Sequence, residues 1–183
     1  MTASTTVSTP RLDLVPLAPP LVAALAAKDL DVARRLAAFP IDDGTFAEDD
    51  HVLGLRHEQL TKDPSEEPWL YRVALLRETG RVVGRVGFHA PPTPDGSVEI
   101  GYSVAPDHRG QGLATEMAVG LIRWGASEGA TVCIASVRPD NAPSLAVIRR
   151  LGFERTGEQI DEIDGLEWIF TLPLTGHTLS SLQ

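Results

Sequence analysis

The stretch Val104-Ala105-Pro106-Asp107-His108-Arg109-Gly110-Gln111-Gly112-Leu113-Ala114 constrains this chain more than any other. Before it, Val98, Ile100, Tyr102 and Val104 alternate strictly with Glu99, Gly101 and Ser103, the period-two pattern of a strand. Pro106 ends that strand. After it, Leu113, Met117, Leu121 and Trp124 recur at helical spacing, with Ala114, Ala118 and Ile122 beside them. A strand, a glycine turn and a helix in succession point to an α/β fold. They also make an anion site, because a helix N-terminus presents unpaired N–H groups and the positive end of its dipole. Gly110 and Gly112 let the backbone come close to a ligand and accept φ > 0. Arg109 adds a fixed positive charge. On spacing alone, a plain strand-to-helix connection explains the same residues equally well.

The rest of the chain fills in one domain. Arg11 to Leu17 reads as an edge strand between prolines. Leu21 to Ala38 is helical in propensity, with Asp29 and Asp31 placed to divide it. Glu48 to Lys62 reads as a surface helix. Leu70 to Arg77 and Arg81 to His89 form a hairpin about the Thr79–Gly80 turn. Thr131 to Val137 is a nearly continuous apolar run, the pattern of a strand buried on both faces. Asn141 caps a helix that opens with Pro143 and stops at Gly152. Phe153 to Gln159 and Leu166 to Leu172 are two further strands joined around Asp164–Gly165. The expectation is a mixed α/β single domain spanning residues 9–174, with a flexible terminus over 1–8 and a tail over 175–183.

Composition excludes several classes. No apolar run approaches the roughly 20 residues that span a bilayer, and Met1 to Pro10 has neither the basic start nor the apolar stretch of a secretory signal. The expectation is a soluble cytoplasmic protein without membrane partners. The single cysteine, Cys133, rules out an internal disulfide and a cysteine-based zinc site, and its apolar surroundings make it a core residue. His51, His57, His89 and His177 show no metal-ligand spacing, and no metal is expected. Trp69 and Trp168 fit packing and pocket lining equally. The net charge is −9, which disfavours nucleic acid as a partner. Between Asp42 and Glu67, nine acidic residues face only Arg56 and Lys62, so that segment carries −7. Such acid either steers a cationic substrate or merely solvates a face.

Two familiar phosphate loops fail. There is no Gly-x-x-x-x-Gly-Lys-Ser/Thr sequence, and the dinucleotide fingerprint lacks its third glycine and its acid. What the chain does resemble is the GNAT family of N-acetyltransferases. Arg109-x-x-Gly112-x-Ala114 after Val-Ala-Pro is similar to that family's pyrophosphate motif for acyl-coenzyme A. Glu99-Ile100-Gly101-Tyr102 resembles the preceding strand of the branch containing the ribosomal-protein N-terminal acetyltransferases. Asn141-x-x-Ser144 with Leu151-Gly152-Phe153 resembles that branch's second motif, and Thr9-Pro10-Arg11-Leu12 to Leu17 its opening strand. The likeness covers nearly the whole chain.

The resemblance implies a mostly antiparallel mixed sheet of about seven strands, flanked by helices, with a splayed central strand pair. It implies acetyl-coenzyme A as co-substrate and an amine as acceptor, either a peptide N-terminus or a small amine. It also allows a homodimer. The cofactor would be held by Ser103, Val104, Arg109, Gly110, Gln111, Gly112, Leu113, Ala114, Asn141 and Ser144. Arg138, Arg149 and Arg150 would join Arg109 in attracting its anionic groups. An attacking amine must lose a proton, and Glu99 is the candidate base. Its face of the strand carries otherwise only Gly101 and Ser103, which suggests a cleft. A cross-strand pair with Arg85 is the competing role for Glu99. A backbone N–H near Ser103 or Val104 would meet the oxyanion. Many family members place a tyrosine seven residues after the asparagine as general acid. Here that position is Ile148, and Ser144, one helical turn earlier, is the candidate acid. Ser144 can instead bond a local backbone group, and capping alone explains Asn141. A non-catalytic acyl-coenzyme A sensor on the same fold is the alternative function. A nucleotide-dependent oxidoreductase would need the missing fingerprint.

Overall fold

The computed structural model describes residues 5–47, 49–163 and 165–182. In chain order the elements are β1 (Val7–Ser8), β2 (Leu12–Pro16), α1 (Pro19–Ala26), α2 (Leu30–Leu36), α3 (Asp50–Lys62), β3 (Arg72–Leu76), β4 (Arg81–Phe88), β5 (Ser97–Val104), α4 (Leu113–Ser127), β6 (Val132–Val137), α5 (Ala142–Arg150), β7 (Glu154–Asp161), β8 (Gly165–Pro173) and α6 (Gly176–Ser181). They build one α/β domain around a sheet of eight strands in the order β1-β2-β3-β4-β5-β6-β8-β7. Every neighbouring pair is antiparallel except β5 with β6. The eighth strand is β1, whose two residues are too short for any alternation to show.

Local chemistry sets the boundaries. Lys28 takes φ 58, and the Asp29 carboxylate accepts from the Val32 amide at 3.0 Å, so the Ala/Leu run splits into α1 and α2 where the two aspartates predicted. The helix expected from Glu48 starts at Asp50; Glu48 lies outside the described residues, as does Asp164 of the expected β7–β8 turn. Thr5 to Ser8, read as a flexible terminus, carry β1, and the buried Arg72 donates to the Thr5 carbonyl at 2.7 Å while stacking 4.3 Å from Trp124. The segment read as a tail forms α6. Leu182 is buried beside α4, and its carbonyl accepts from Arg123 at 2.7 Å.

Two apolar clusters cover the sheet unequally. On one face α4 and α5 bury Phe88, Val98, Ile100, Cys133, Ala135 and Val137 with Met117, Leu121 and Ile148. On the other, α1 to α3 pack over β2 and β3 through Leu17, Leu21, Val22, Leu53 and Val73. That second cover ends before β6. Within β6, Cys133, Ala135 and Val137 are buried, while Val132, Ile134 and Ser136 are only half-buried. The expectation of a strand buried on both faces is therefore wrong. The apolar run is genuine, but the face of Ile134 and Ser136 is only partly covered.

Candidate active site

The cleft begins where two strands part. β5 and β6 pair in parallel only through Ser97–Val132, Val98–Cys133 and Glu99–Ile134. Beyond Glu99, β5 stays paired to β4, from Ile100–Phe88 to Val104–Gly84, and its other edge is left without a strand. This is the splayed central pair that the family resemblance implied. The orientation of its polar groups follows from two bonds: the His89 amide donates to the Glu99 carbonyl at 2.8 Å, and the Ala105 amide to the Val83 carbonyl at 2.9 Å. Residues 99, 101, 103 and 105 thus turn their backbone toward β4, so Tyr102 and Val104 present theirs to the gap. Of the two amides expected near the oxyanion, Val104 is on the open edge and Ser103 is not.

At the wide end of the gap lies a cavity of about 610 Å³. Ser103, Val104, Arg109, Gly110, Gly112, Leu113, Ala114, Asn141 and Ser144 all border it, as do Tyr102 and His108. Gly110 and Gly112 have φ of 75 and 76, the left-handed conformation expected of them. Glu116 is the first amide of α4 to bond within the helix, to the Gly112 carbonyl at 3.1 Å; the amides of the first turn before it are those a helix leaves open. Gln111 does not line the cavity. Its carbonyl accepts from Arg11 at 3.0 Å, and the Arg11 guanidinium also pairs with Glu116 at 2.6 Å. Burial pushes the Glu116 carboxyl up, but bonds from Thr9 and Arg11 outweigh it and hold it below its ordinary value. This clamp ties the turn to β2 and fixes its shape. Arg109 donates from Nε to the Val104 carbonyl at 3.0 Å, and Arg138 pairs with Asp140 at 2.8 Å.

The N-terminus of α5 closes the cavity. Asn141 accepts from the Ser144 amide at 3.2 Å, so its side chain is the cap. The half-buried Ser144 hydroxyl makes no hydrogen bond among the described residues. Ile148 is fully buried. The sequence reading missed Tyr102. It assigned the ring to the core face, yet the ring also borders the cavity, with its hydroxyl 3.5 Å from the Ser144 carbonyl. Burial is the main cause that raises its pKa to about 12, so it stays a neutral donor. The one signal in the sequence was a polar atom on an otherwise aliphatic face.

Glu99 stands on the opposite face, at the apex where β5 and β6 separate. Its side chain is 30% exposed, and Oε2 lies 3.7 Å from Nδ1 of His89. Arg85, the competing partner, is opposite Ser103 instead and forms an ion pair with Asp49. Burial lowers the pKa of His89; the Glu99 charge opposes that, while Arg56 and Arg85 add to it. Four of the nine acids in the segment pair with cations from outside it: Asp42 with Arg81, Asp43 with Arg34, Asp49 with Arg85 and Asp50 with Lys28. Cys133 is fully buried and burial pushes its thiol up, as a core residue requires. Trp69 packs against Trp124 and Phe88, and Trp168 lies under Arg155. Among the described residues no group of three or more His, Cys, Asp or Glu is placed to hold a metal ion, and no helix is long and apolar enough to cross a membrane.

Known proteins share this fold. The model of the acetyltransferase (GNAT) domain matches residues 11–154. The N-acetyltransferase p20 of Bacillus licheniformis is 34% identical over 101 residues, 54% of this chain and 57% of that protein. The chain spans about half the length of the curated relatives it matches. Two solved structures show the same fold. The ribosomal-protein-S5-alanine acetyltransferase of Vibrio fischeri superposes with a TM-score of 0.64 at 17% identity, covering 94% of this chain and 98% of that one. The microcin C7 self-immunity acetyltransferase MccE, solved with acetyl-CoA and AMP, gives 0.62 at 19% identity, covering 95% and 100%.

Proposed function

The chain belongs to the GNAT acetyltransferase family, and from that premise we propose that it transfers the acetyl group of acetyl-CoA to an amine by direct attack within a ternary complex. The observation that carries this reading is the gap between β5 and β6, with an open helix N-terminus at one end and a carboxylate at its apex. The turn from Arg109 to Ala114 would hold the pyrophosphate through backbone amides and the dipole of α4. The open edge of β5 would pair with the amide arm of the cofactor. Glu99 accepts the proton of the incoming ammonium, directly or through a water. The nitrogen then bonds to the thioester carbon, and the carbonyl oxygen takes the negative charge beside the Val104 amide. Collapse breaks the C–S bond and releases a thiolate, and the nitrogen gives up its second proton to solvent to leave the neutral amide. A thiol has a pKa of about 8.5, so the thiolate leaves readily. Ser144 is the proposed donor to it, with the Tyr102 hydroxyl next to it.

The named neighbours differ in acceptor, one a ribosomal protein and one tied to microcin immunity, so the acceptor must be argued from this chain. Release of free thiol from acetyl-CoA, with a panel of amines and peptides, tests the reading. Thiol release that requires an amine and acetylates it is the expected result. Tight coenzyme A binding without transfer to any amine would make the protein a sensor instead.

A further inference from the structure

We propose that Arg56 selects the acceptor, and that the acceptor is a small amine carrying a carboxylate about one residue's length from its nitrogen, as a free α-amino acid does. This rests on the reading of Glu99 as the base and adds what else the acceptor must carry.

Arg56 projects from α3 onto the face of Glu99. Its Nη1 donates to the Gln59 side chain at 2.5 Å and to the His89 carbonyl at 3.0 Å. Among the described residues, no carboxylate forms an ion pair with it. Its neighbour Arg85 is neutralised by Asp49; Arg56 is not. Burial first, and the Arg85 charge second, lower its pKa to about 10 against the pull of Glu66 and Tyr71. A partly buried guanidinium with no ion-pair partner is costly, and an anion from a ligand relieves that cost.

There is room for one. Arg56, Arg85, His89, Gly87 and Gly101 border a cavity of about 60 Å³. One water needs about 10–15 Å³ on this measure, so the space has room for a carboxylate. A Cβ on Gly101 would come within 3.0 Å of the His89 ring, so the glycine keeps this corner open.

The spacing follows from His89. Its amide bonds the Glu99 carbonyl, its ring faces the Glu99 carboxylate, and its carbonyl receives Arg56. His89 therefore touches both the base and the guanidinium. A molecule with its amine at Glu99 and its anion at Arg56 would span that residue, and a free α-amino acid carries those two groups. A peptide N-terminus would offer a neutral carbonyl there and leave the charge of Arg56 uncompensated. A carboxylate accepts two parallel bonds from the planar fork.

The experiment uses leucine, methionine, phenylalanine, glutamate and lysine, each beside its carboxamide. Calorimetric titration into the coenzyme A-saturated protein is run in parallel with thiol release from acetyl-CoA. The free acid should bind and react about 10- to 100-fold better than its amide for at least one pair, the range of a charge-assisted hydrogen bond. Arg56→Gln should bring that ratio close to one, and Arg56→Lys should keep part of it. Coenzyme A affinity and the melting curve check that each variant is folded. Equal binding of acid and amide, no binding of any acid at millimolar concentration, a tripeptide preferred over every acid, or a ratio that survives in Arg56→Gln overturns the proposal. A binding preference without thiol release would leave Arg56 standing and remove Glu99 as base. Thiol release without a preference would do the reverse.

Discussion

Replacing Gly112 by alanine separates backbone conformation from bulk at the pyrophosphate turn. At this position φ is 76, and a Cβ would meet only the end of Arg11, at 3.7 Å, an ordinary contact. The penalty is therefore conformational. A left-handed alanine costs roughly 1–2 kcal/mol, and the lower entropy of the unfolded chain returns about 0.4–1 kcal/mol. A net loss of about 1 kcal/mol in a domain of this size lowers Tm by about 2–4 °C. Any relaxation toward negative φ rotates the amides that face the cavity. Loss of one charge-assisted bond there should weaken coenzyme A by roughly 10- to 100-fold. Gly80→Ala is the control. That glycine has φ 68 with nothing within 4 Å, and lies in the β3–β4 turn, so it carries the same strain away from the site. Calorimetry with coenzyme A and a thermal melt on both variants make the comparison. Equal Tm losses with an affinity loss confined to Gly112→Ala are expected. Unchanged affinity in Gly112→Ala, or an equal affinity loss in Gly80→Ala, would refute the reasoning.

Glu99→Gln should lower kcat by roughly 10²- to 10⁴-fold with coenzyme A affinity retained, and the deficit should shrink at high pH, where the amine deprotonates unaided; a loss uniform in pH would mean a structural role. Ser144→Ala and Tyr102→Phe should each cost less, since thiolate is already a fair leaving group, and a larger effect than that of Glu99→Gln would reverse the ranking. Partial desolvation lowers the pKa of the half-exposed His89 ring, with Arg56 and Arg85 acting the same way and Glu99 against them. On acidification the unfolded chain takes up that proton first, near pH 6.5. Stability should thus fall as pH drops below about 6.5. Urea midpoints against pH should lose this component in His89→Asn, and an unchanged profile would contradict the assignment.

The parts legible in the sequence were those with strong local pattern. The β5 alternation, Gly110 and Gly112, the Asn141 cap and the Gly152 stop all work through neighbouring residues, so spacing reveals them. Arg56 and Tyr102 were not legible in the same way. Arg56 matters because α3 brings it to the His89 carbonyl, 33 residues away, and its own surroundings in sequence are ordinary for a surface helix. Tyr102 shares a face with Val98 and Ile100, but the divergence of β6 opens a cavity beside its ring. The same divergence explains β6. An apolar run reports side-chain type, and the open side of Ile134 depends on where the helices stop. The ion pairs of the acidic segment were hidden for a related reason, since Arg34, Arg81, Arg85 and Lys28 come from other elements.

A crystal structure of the protein with acetyl-CoA tests the central claim most directly. A rival cavity of about 820 Å³ lies between the N-terminal segment and α4, bordered by Thr9, Arg11 and Trp124, so the outcome is not fixed by size. The account predicts pyrophosphate oxygens bonded to the amides between Arg109 and Ala114. It also predicts the cofactor arm paired with Tyr102 and Val104 on the open edge of β5, with the thioester at the gap above Glu99. Cofactor density in the N-terminal cavity, or an arm that leaves the β5 edge unpaired, would contradict it.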